Sequence, residues 1–377
     1  MRDPQRLPVV CPREGPGDIS GRLAEVLREA LEGTEPVFLM TAEEAGNYFR
    51  DAQNDFREAQ TAGEHPAVHF HPVLFVITLG KTGVNLEYMR LLRLLREEQT
   101  LLDGYAGGVI TDGESELYTK AVSRELVFAA NRAGCAFVGR PLVEGTGTLS
   151  NFFVTAQILD TDEEIAYRRS AADLVQRLFA FCSEERKPKR KILVLHASIR
   201  RTSNTLAVWD KAEEYLRDDF EIRTLSLQNG TLYDCAGCPY HTCLHFGEQG
   251  SCFYGGIMAE EVYPAVREAD ALVMLCANYN DALAANLTAF INRLTALFRQ
   301  VRFYDKALFA VVVSGYSGGD IVAEQLIAAL NMNKSFWLPP RFAILETANN
   351  AGQAMTLPGI GERIRSFAEN IRRTLTE

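Results

Sequence analysis

The sequence predicts an α/β protein of two units in tandem, the second a doubly wound parallel sheet of five strands. Three observations predict it. Short apolar runs of strand length alternate with amphipathic stretches of helix length along most of the chain. The alternation breaks at residues 183–190, Ser-Glu-Glu-Arg-Lys-Pro-Lys-Arg, a charged run around a proline that reads as a solvated linker. Several apolar runs end in polar or glycine-rich segments, and in such sheets ligands sit beyond the carboxyl ends of the strands.

The elements follow in order. Residues 1–17 hold four prolines and three arginines and predict an irregular lead-in. Over 18–32, Leu23, Val26, Leu27 and Leu31 fall at helical spacing, and Gly33 ends the run. Residues 36–40 read as a strand and 42–62 as a polar helix. Residues 73–79 are a buried-strand pattern, followed by Gly80-Lys81-Thr82-Gly83 and a helix over 84–102 with Leu86, Met89, Leu91, Leu92 and Leu95 on its apolar side. A strand at 107–111, a helix at 116–133, a strand at 136–138 and a helix at 161–181 complete residues 1–182. From residue 73 that order is β-α-β-α-β, half of a doubly wound sheet. His65, His69 and His71 precede the strand at 73–79 without a carboxylate cluster and read as structural.

Residues 191–377 form the second unit. Strands at 191–196, 220–226, 271–276, 307–314 and 341–346 alternate with helices at 204–217, 257–268, 282–299, 320–331 and 359–375. A cysteine-rich insertion at 233–256 is expected to be an irregular loop that covers the carboxyl edge of the sheet. The outline of 73–95 matches that of 191–217, which predicts an internal duplication whose first copy lacks a phosphate site.

The net charge of −10 argues against general nucleic-acid binding. No apolar run approaches the roughly 18 residues of a membrane span, and Met-Arg-Asp-Pro-Gln-Arg at the start has no apolar signal core. A cytoplasmic protein is expected, with its 8 cysteines as reduced thiols or metal ligands.

The stretch 191–205 carries the most chemistry. An apolar strand stops at His196, a loop rich in hydroxyls and arginine follows, and a helix opens near Asn204. The first N–H groups of a helix have no intrahelical partner and the helix dipole favours an anion there. The loop has neither the glycines of a dinucleotide fingerprint nor the Gly-Lys-Ser/Thr of a P-loop, so it better suits a monophosphate. An ordinary capped helix after a strand would read the same way. Cys235, Cys238, Cys243 and Cys252 have the spacing C-x2-C-x4-C-x8-C, compatible with a cluster, with a zinc site joined by His241 or His245, or with no metal.

On these residues the second unit resembles the NADPH-dependent FMN reductase family, the flavodoxin-like group that includes the iron–sulfur flavoproteins, over roughly 191–375. The family's phosphate loop has the form Gly-Ser-Pro-Arg-x-x-Ser/Gly-Asn-Thr; here it reads Ala197-Ser198-Ile199-Arg200-Arg201-Thr202-Ser203-Asn204-Thr205. The family's cysteine segment matches Cys235-Ala236-Gly237-Cys238 and Gly250-Ser251-Cys252. Its Pro-x-Tyr turn corresponds to Asn278-Tyr279-Asn280, without the proline.

The resemblance implies that Ser198, Arg200, Ser203, Asn204 and Thr205 hold an FMN phosphate. It implies that Asn278, Tyr279 and Asn280 line one edge of the isoalloxazine and that Ser314, Gly315, Tyr316, Ser317 and Gly318 form a third loop. It further implies an NAD(P)H oxidoreductase of flavin- or quinone-reductase type, with NADPH or NADH as donor and chemistry carried by the FMN rather than by a catalytic side chain. A small-molecule acceptor or a redox partner protein, and a homo-oligomer, are expected with it. The alternative is an iron–sulfur electron-transfer flavoprotein with a [4Fe–4S] cluster on the four cysteines. The unit at 1–182 is expected to be a degenerate flavodoxin-like domain without a flavin of its own.

Overall fold

The computed structural model describes residues 6–13, 19, 21–61, 70–198, 202–228 and 232–376. The chain divides into two compact units, Met1–Glu185 and Arg186–Glu377, each α/β. Among the described residues no helix is long and apolar enough to cross a membrane.

The first unit runs β1 (Arg6–Val10), α1 (Gly21–Ala30), β2 (Glu35–Leu39), α2 (Ala42–Thr61), β3 (His71–Leu79), α3 (Leu86–Glu97), β4 (Tyr105–Gly113), α4 (Thr119–Arg132), β5 (Ala136–Gly145), α5 (Phe153–Leu159) and α6 (Glu163–Ser183). Its strands are parallel, in the order β2-β1-β3-β4-β5. This is a complete doubly wound sheet, not the half that the spacing from residue 73 predicts. The added strand is β1, in the segment expected to be an irregular lead-in. Leu7, Val9 and Val10 are wholly buried there, between β2 and β3. Pro8 disguises the strand, because a proline cannot donate to a ladder. However, β1 meets β3 only through Val9 and Val10, so Pro8 lies outside that ladder.

The second unit runs β6 (Lys191–His196), α7 (Asn204–Leu216), β7 (Glu221–Ser226), α8 (Tyr240–Glu248), α9 (Tyr263–Glu268), β8 (Ala271–Ala277), α10 (Ala285–Phe298), β9 (Ala307–Ser314), α11 (Gly319–Leu326), β10 (Ala343–Thr347) and α12 (Ile360–Thr376). Wider π-helical turns precede α9 and continue α11. The order is β10-β9-β8-β6-β7, all parallel. Numbered within each unit, both sheets have the flavodoxin-like order 2-1-3-4-5. The partner of β6 in the first unit is therefore β1. The outline that pairs 73–95 with 191–217 is out of step, since β3 corresponds to β8.

Burial follows from the layering. The inner strands are covered on both faces and are nearly continuous apolar runs, as in β3, β8 and β9. The edge strand β7 is half exposed and carries Glu221, Arg223 and Thr224. In the first unit α1 packs on α6, and in the second α7 packs on α12. The cysteine-rich insertion is not wholly irregular: it contains α8, which packs against α10.

Candidate functional site

The carboxyl end of β6 feeds the loop that leads to α7. Ser203 caps α7 in an extended conformation, its hydroxyl accepting from the Leu206 N–H at 3.5 Å. Three hydroxyls meet at this helix start: Ser203 Oγ lies 2.7 Å from Thr205 Oγ1 and 3.2 Å from Ser198 Oγ, and Ser198 Oγ lies 3.5 Å from Thr205 Oγ1. Arg200 lies outside the described residues, with Ile199 and Arg201.

Asn204 has a different task from its neighbours. Its amide donates to the carbonyls of Ala348 and Asn350 at 3.1 and 2.9 Å, and its Oδ1 accepts from the Ala354 N–H at 3.2 Å. The side chain therefore holds the loop after β10. That loop is a fourth wall of the site that the sequence reading missed. Gln353 Oε1 shapes it by accepting from the N–H groups of Asn349 and Asn350, both at 2.9 Å. The pair Asn349-Asn350 just past a strand is a turn signal that could have found it.

The loops after β8 and β9 are tied together by Asn278. Its Nδ2 donates to the Ser317 carbonyl at 2.8 Å and to Ser314 Oγ at 3.3 Å. Its Oδ1 is buried without a hydrogen-bond partner. Tyr279 and Ala282 exchange backbone bonds of 3.1 Å across a tight turn, and Asn280 and Asp281 sit in the left-handed region at φ 53° and 58°. The turn leaves the Tyr279 side chain out, 57% exposed, while Tyr316 on the neighbouring loop is 80% exposed. Asn349 Nδ2 donates to the Tyr316 hydroxyl at 3.3 Å, so the loops after β9 and β10 also touch. Ser314 is buried, and Gly318 has φ 81° with Asp281 Oδ1 2.1 Å from where a Cβ would stand. Gly315 is the other close approach: a Cβ there would lie 3.1 Å from Asn349 Oδ1.

These residues fit FMN. The hydroxyl cluster at a helix start suits a phosphate, and Asn278 Oδ1 is an acceptor still to be satisfied.

The four cysteines do not form a comparable set. Cys235 is exposed and Cys238, Cys243 and Cys252 are partly so. Among the described residues no group of three or more Cys, His, Asp or Glu is placed to hold a metal ion. A [4Fe–4S] cluster or a zinc site needs four converging ligands, and such a set is not shown among the described residues. The insertion is anchored instead by Arg293, which donates to the carbonyls of Gly255 and Tyr233 at 2.8 and 3.4 Å. Arg299 stacks over the Tyr240 ring at 4.9 Å, and Phe246 packs edge-on against Phe253. Burial pushes the Tyr263 hydroxyl well up, and the thiols of Cys252, Cys243 and Cys235 add to it against the opposing pull of Arg293.

The same edge of the first unit is built differently. Arg22, in the first turn of α1, donates to Asp112 Oδ2 at 2.8 Å and to the carbonyls of Gly113, Gly145 and Gly147 at 2.9, 3.3 and 3.0 Å. It ties together the ends of β4 and β5 and the segment beyond. Burial raises the Asp112 carboxyl above the usual range although Arg22 opposes it.

Residues 190–350 match the family of NADPH-dependent FMN reductases. No curated protein matches the sequence. Solved structures resemble it at low identity. RosB with bound 8-demethyl-8-formylriboflavin-5'-phosphate is 18% identical, with a TM-score of 0.39 over 49% of this chain and 78% of that one. NAD(P)H:quinone oxidoreductase from Methanothermobacter marburgensis is 14% identical, with a TM-score of 0.38 over 49% and 96%. An FMN-dependent NADH-azoreductase from Bacillus anthracis, in complex with FMN, is 10% identical, with a TM-score of 0.35 over 48% and 99%.

Proposed function

We propose, on the premise that residues 190–350 are those of an NADPH-dependent FMN reductase, that the protein is an NAD(P)H oxidoreductase of flavin- or quinone-reductase type working through a single FMN in its second unit. The observation that carries the reading is the convergence of the Ser198, Ser203 and Thr205 hydroxyls on the start of α7. When bound, FMN supplies the redox chemistry, taking a hydride from NADPH or NADH and passing electrons to an acceptor.

The chain's own residues bind and orient. The three hydroxyls and the first N–H groups of α7 hold the phosphate, and the helix dipole favours its charge. Asn204 fixes the wall at 348–354, and Asn278 keeps the loops after β8 and β9 in one register. Tyr279 and Tyr316 offer aromatic surface to an incoming nicotinamide or acceptor and exclude water from it. The acceptor is a small molecule or a redox partner protein, and the active form is a homo-oligomer. For the cluster-bearing electron-transfer alternative, no converging ligand set stands among the described residues. In the first unit the Arg22 network is the reason to propose no second flavin.

The test is to reconstitute the full chain with FMN, measure flavin stoichiometry, and follow NADPH and NADH oxidation with free FMN and with a quinone. Expected are a single FMN per chain and turnover with at least one acceptor. A protein that retains no FMN overturns the reading, and two FMN per chain overturn the assignment to one unit.

A further inference from the structure

His196 is the last residue of β6, only 8% exposed, directly beneath the phosphate loop. Its backbone carbonyl accepts from the Leu227 N–H at 2.7 Å, which fixes the strand end. It stands two residues before Ser198, whose hydroxyl belongs to the cluster at the start of α7. Nδ1 is buried and has no hydrogen-bond partner. In the register of the parallel pair β6 and β7, His196 stands beside Ser226, so both side chains leave the same face of the sheet. Ser226 Oγ is also buried without a partner. Two neighbouring unsatisfied polar groups under an anion site call for an explanation, because each costs about 1–3 kcal/mol when left unpaired.

We propose that His196 is a positioning residue of the phosphate loop that takes up a proton when a phosphate dianion settles on Ser198, Ser203 and Thr205. The proton comes from solvent to Nδ1, which changes from a stranded acceptor to a donor, and Ser226, its registered neighbour on β7, carries an unpaired hydroxyl on the same face of the sheet. The imidazolium then adds a positive charge two residues before Ser198, whose hydroxyl belongs to the cluster proposed to hold the phosphate. The starting state suits this. Burial holds the ring below its ordinary range, against the opposing pull of the Ser198 backbone and the Asp210 carboxylate of α7, so it is neutral before the ligand arrives. The registered neighbours on β7 and β8 are Ser226 and Leu275, and neither carries a charge. Among the described residues Asp210 is the charged group that acts on the ring.

The inference rests on the FMN reading, and the experiment separates the two. Calorimetric titration of the full-length protein with FMN in two buffers of different ionisation enthalpy, near neutral pH, reads the protons taken up. Uptake approaching one proton per FMN is expected, and riboflavin, which has the ring without the phosphate, should bind without it. In His196→Gln, FMN should still bind but the uptake should vanish. The ratio of wild-type to variant affinity should rise by up to about tenfold per pH unit on acidification, the limit for one linked proton. The phosphate's own titration is common to both and cancels in that ratio. Absence of uptake with FMN, equal uptake with riboflavin, or uptake retained in the variant would each overturn the proposal. The comparison of FMN with riboflavin needs no variant, so it stands even if His196→Gln folds poorly. No binding of FMN at all would instead overturn the functional reading.

Discussion

Gly318 is the residue at which backbone and site geometry are most tightly bound together. Its φ of 81° lies in the left-handed region, and a Cβ would stand 2.1 Å from Asp281 Oδ1 and 2.9 Å from Asn278 Nδ2. An alanine there carries the left-handed cost of about 1–2 kcal/mol and must also push apart the loops that Asn278 joins. Gly318→Ala should therefore lower both thermal stability and FMN affinity; unchanged FMN affinity would remove this glycine from the site. His196 adds a pH dependence at the same scale. Its folded-state pKa is depressed below the ordinary 6.5 by burial, so the stability it contributes is present above that value and is lost as pH falls through the folded pKa. The FMN-free protein should lose melting temperature between neutral and mildly acidic pH, with a shallower loss in His196→Gln. Parallel curves for the two proteins would count against a titrating His196.

At the scale of elements, α7 and the loop after β10 act together through one side chain. Replacing Asn204 by alanine leaves two carbonyls and the Ala354 N–H without their partner, a cost of about 1–3 kcal/mol if they stay dry. Because the Asn204 side chain is spent on the wall, Asn204→Ala should weaken FMN and riboflavin in equal proportion. Ser203→Ala should penalise FMN more than riboflavin, besides costing the cap about 1 kcal/mol. Equal effects of both variants on both ligands would erase the distinction. The sequence made these residues visible as a motif, since Ser198, Ser203, Asn204 and Thr205 follow an apolar strand in the order that a phosphate loop needs. It could not divide their roles, because the partners of Asn204 lie more than 140 positions away. Strand and helix alternation was legible wherever both faces of a strand are buried, as in β8 and β9, and failed at β1, where the short run Leu7–Val10 is interrupted by Pro8. The helix α8 was hidden for another reason: its histidines, glycine and aromatics give little helical periodicity, and its register is set by packing on α10.

For the whole molecule, the two units share one strand order but finish the edge beyond β1 and β6 in opposite ways. At α7 a short amide and three hydroxyls gather at the helix start. At α1 the long Arg22 side chain spans the strand ends and meets Asp112. Each unit has its own sheet and buried core, so unfolding should resolve into two transitions that respond to different perturbations. On the proposed reading FMN binds the native second unit, so it should raise only that transition, by about 2.7 kcal/mol at a hundredfold excess over its dissociation constant. Arg22→Met should lower only the other one. The variant leaves Asp112 largely buried without its cation and three carbonyls without their donor; for a partly buried pair this costs about 2–4 kcal/mol. Calorimetric unfolding of the wild type and of Arg22→Met, each with and without FMN, reads both shifts at once. The expected result is two independent movements and an unchanged flavin stoichiometry. If FMN stabilised the transition that Arg22→Met lowers, the flavin would belong to the first unit and its assignment to the second would fall.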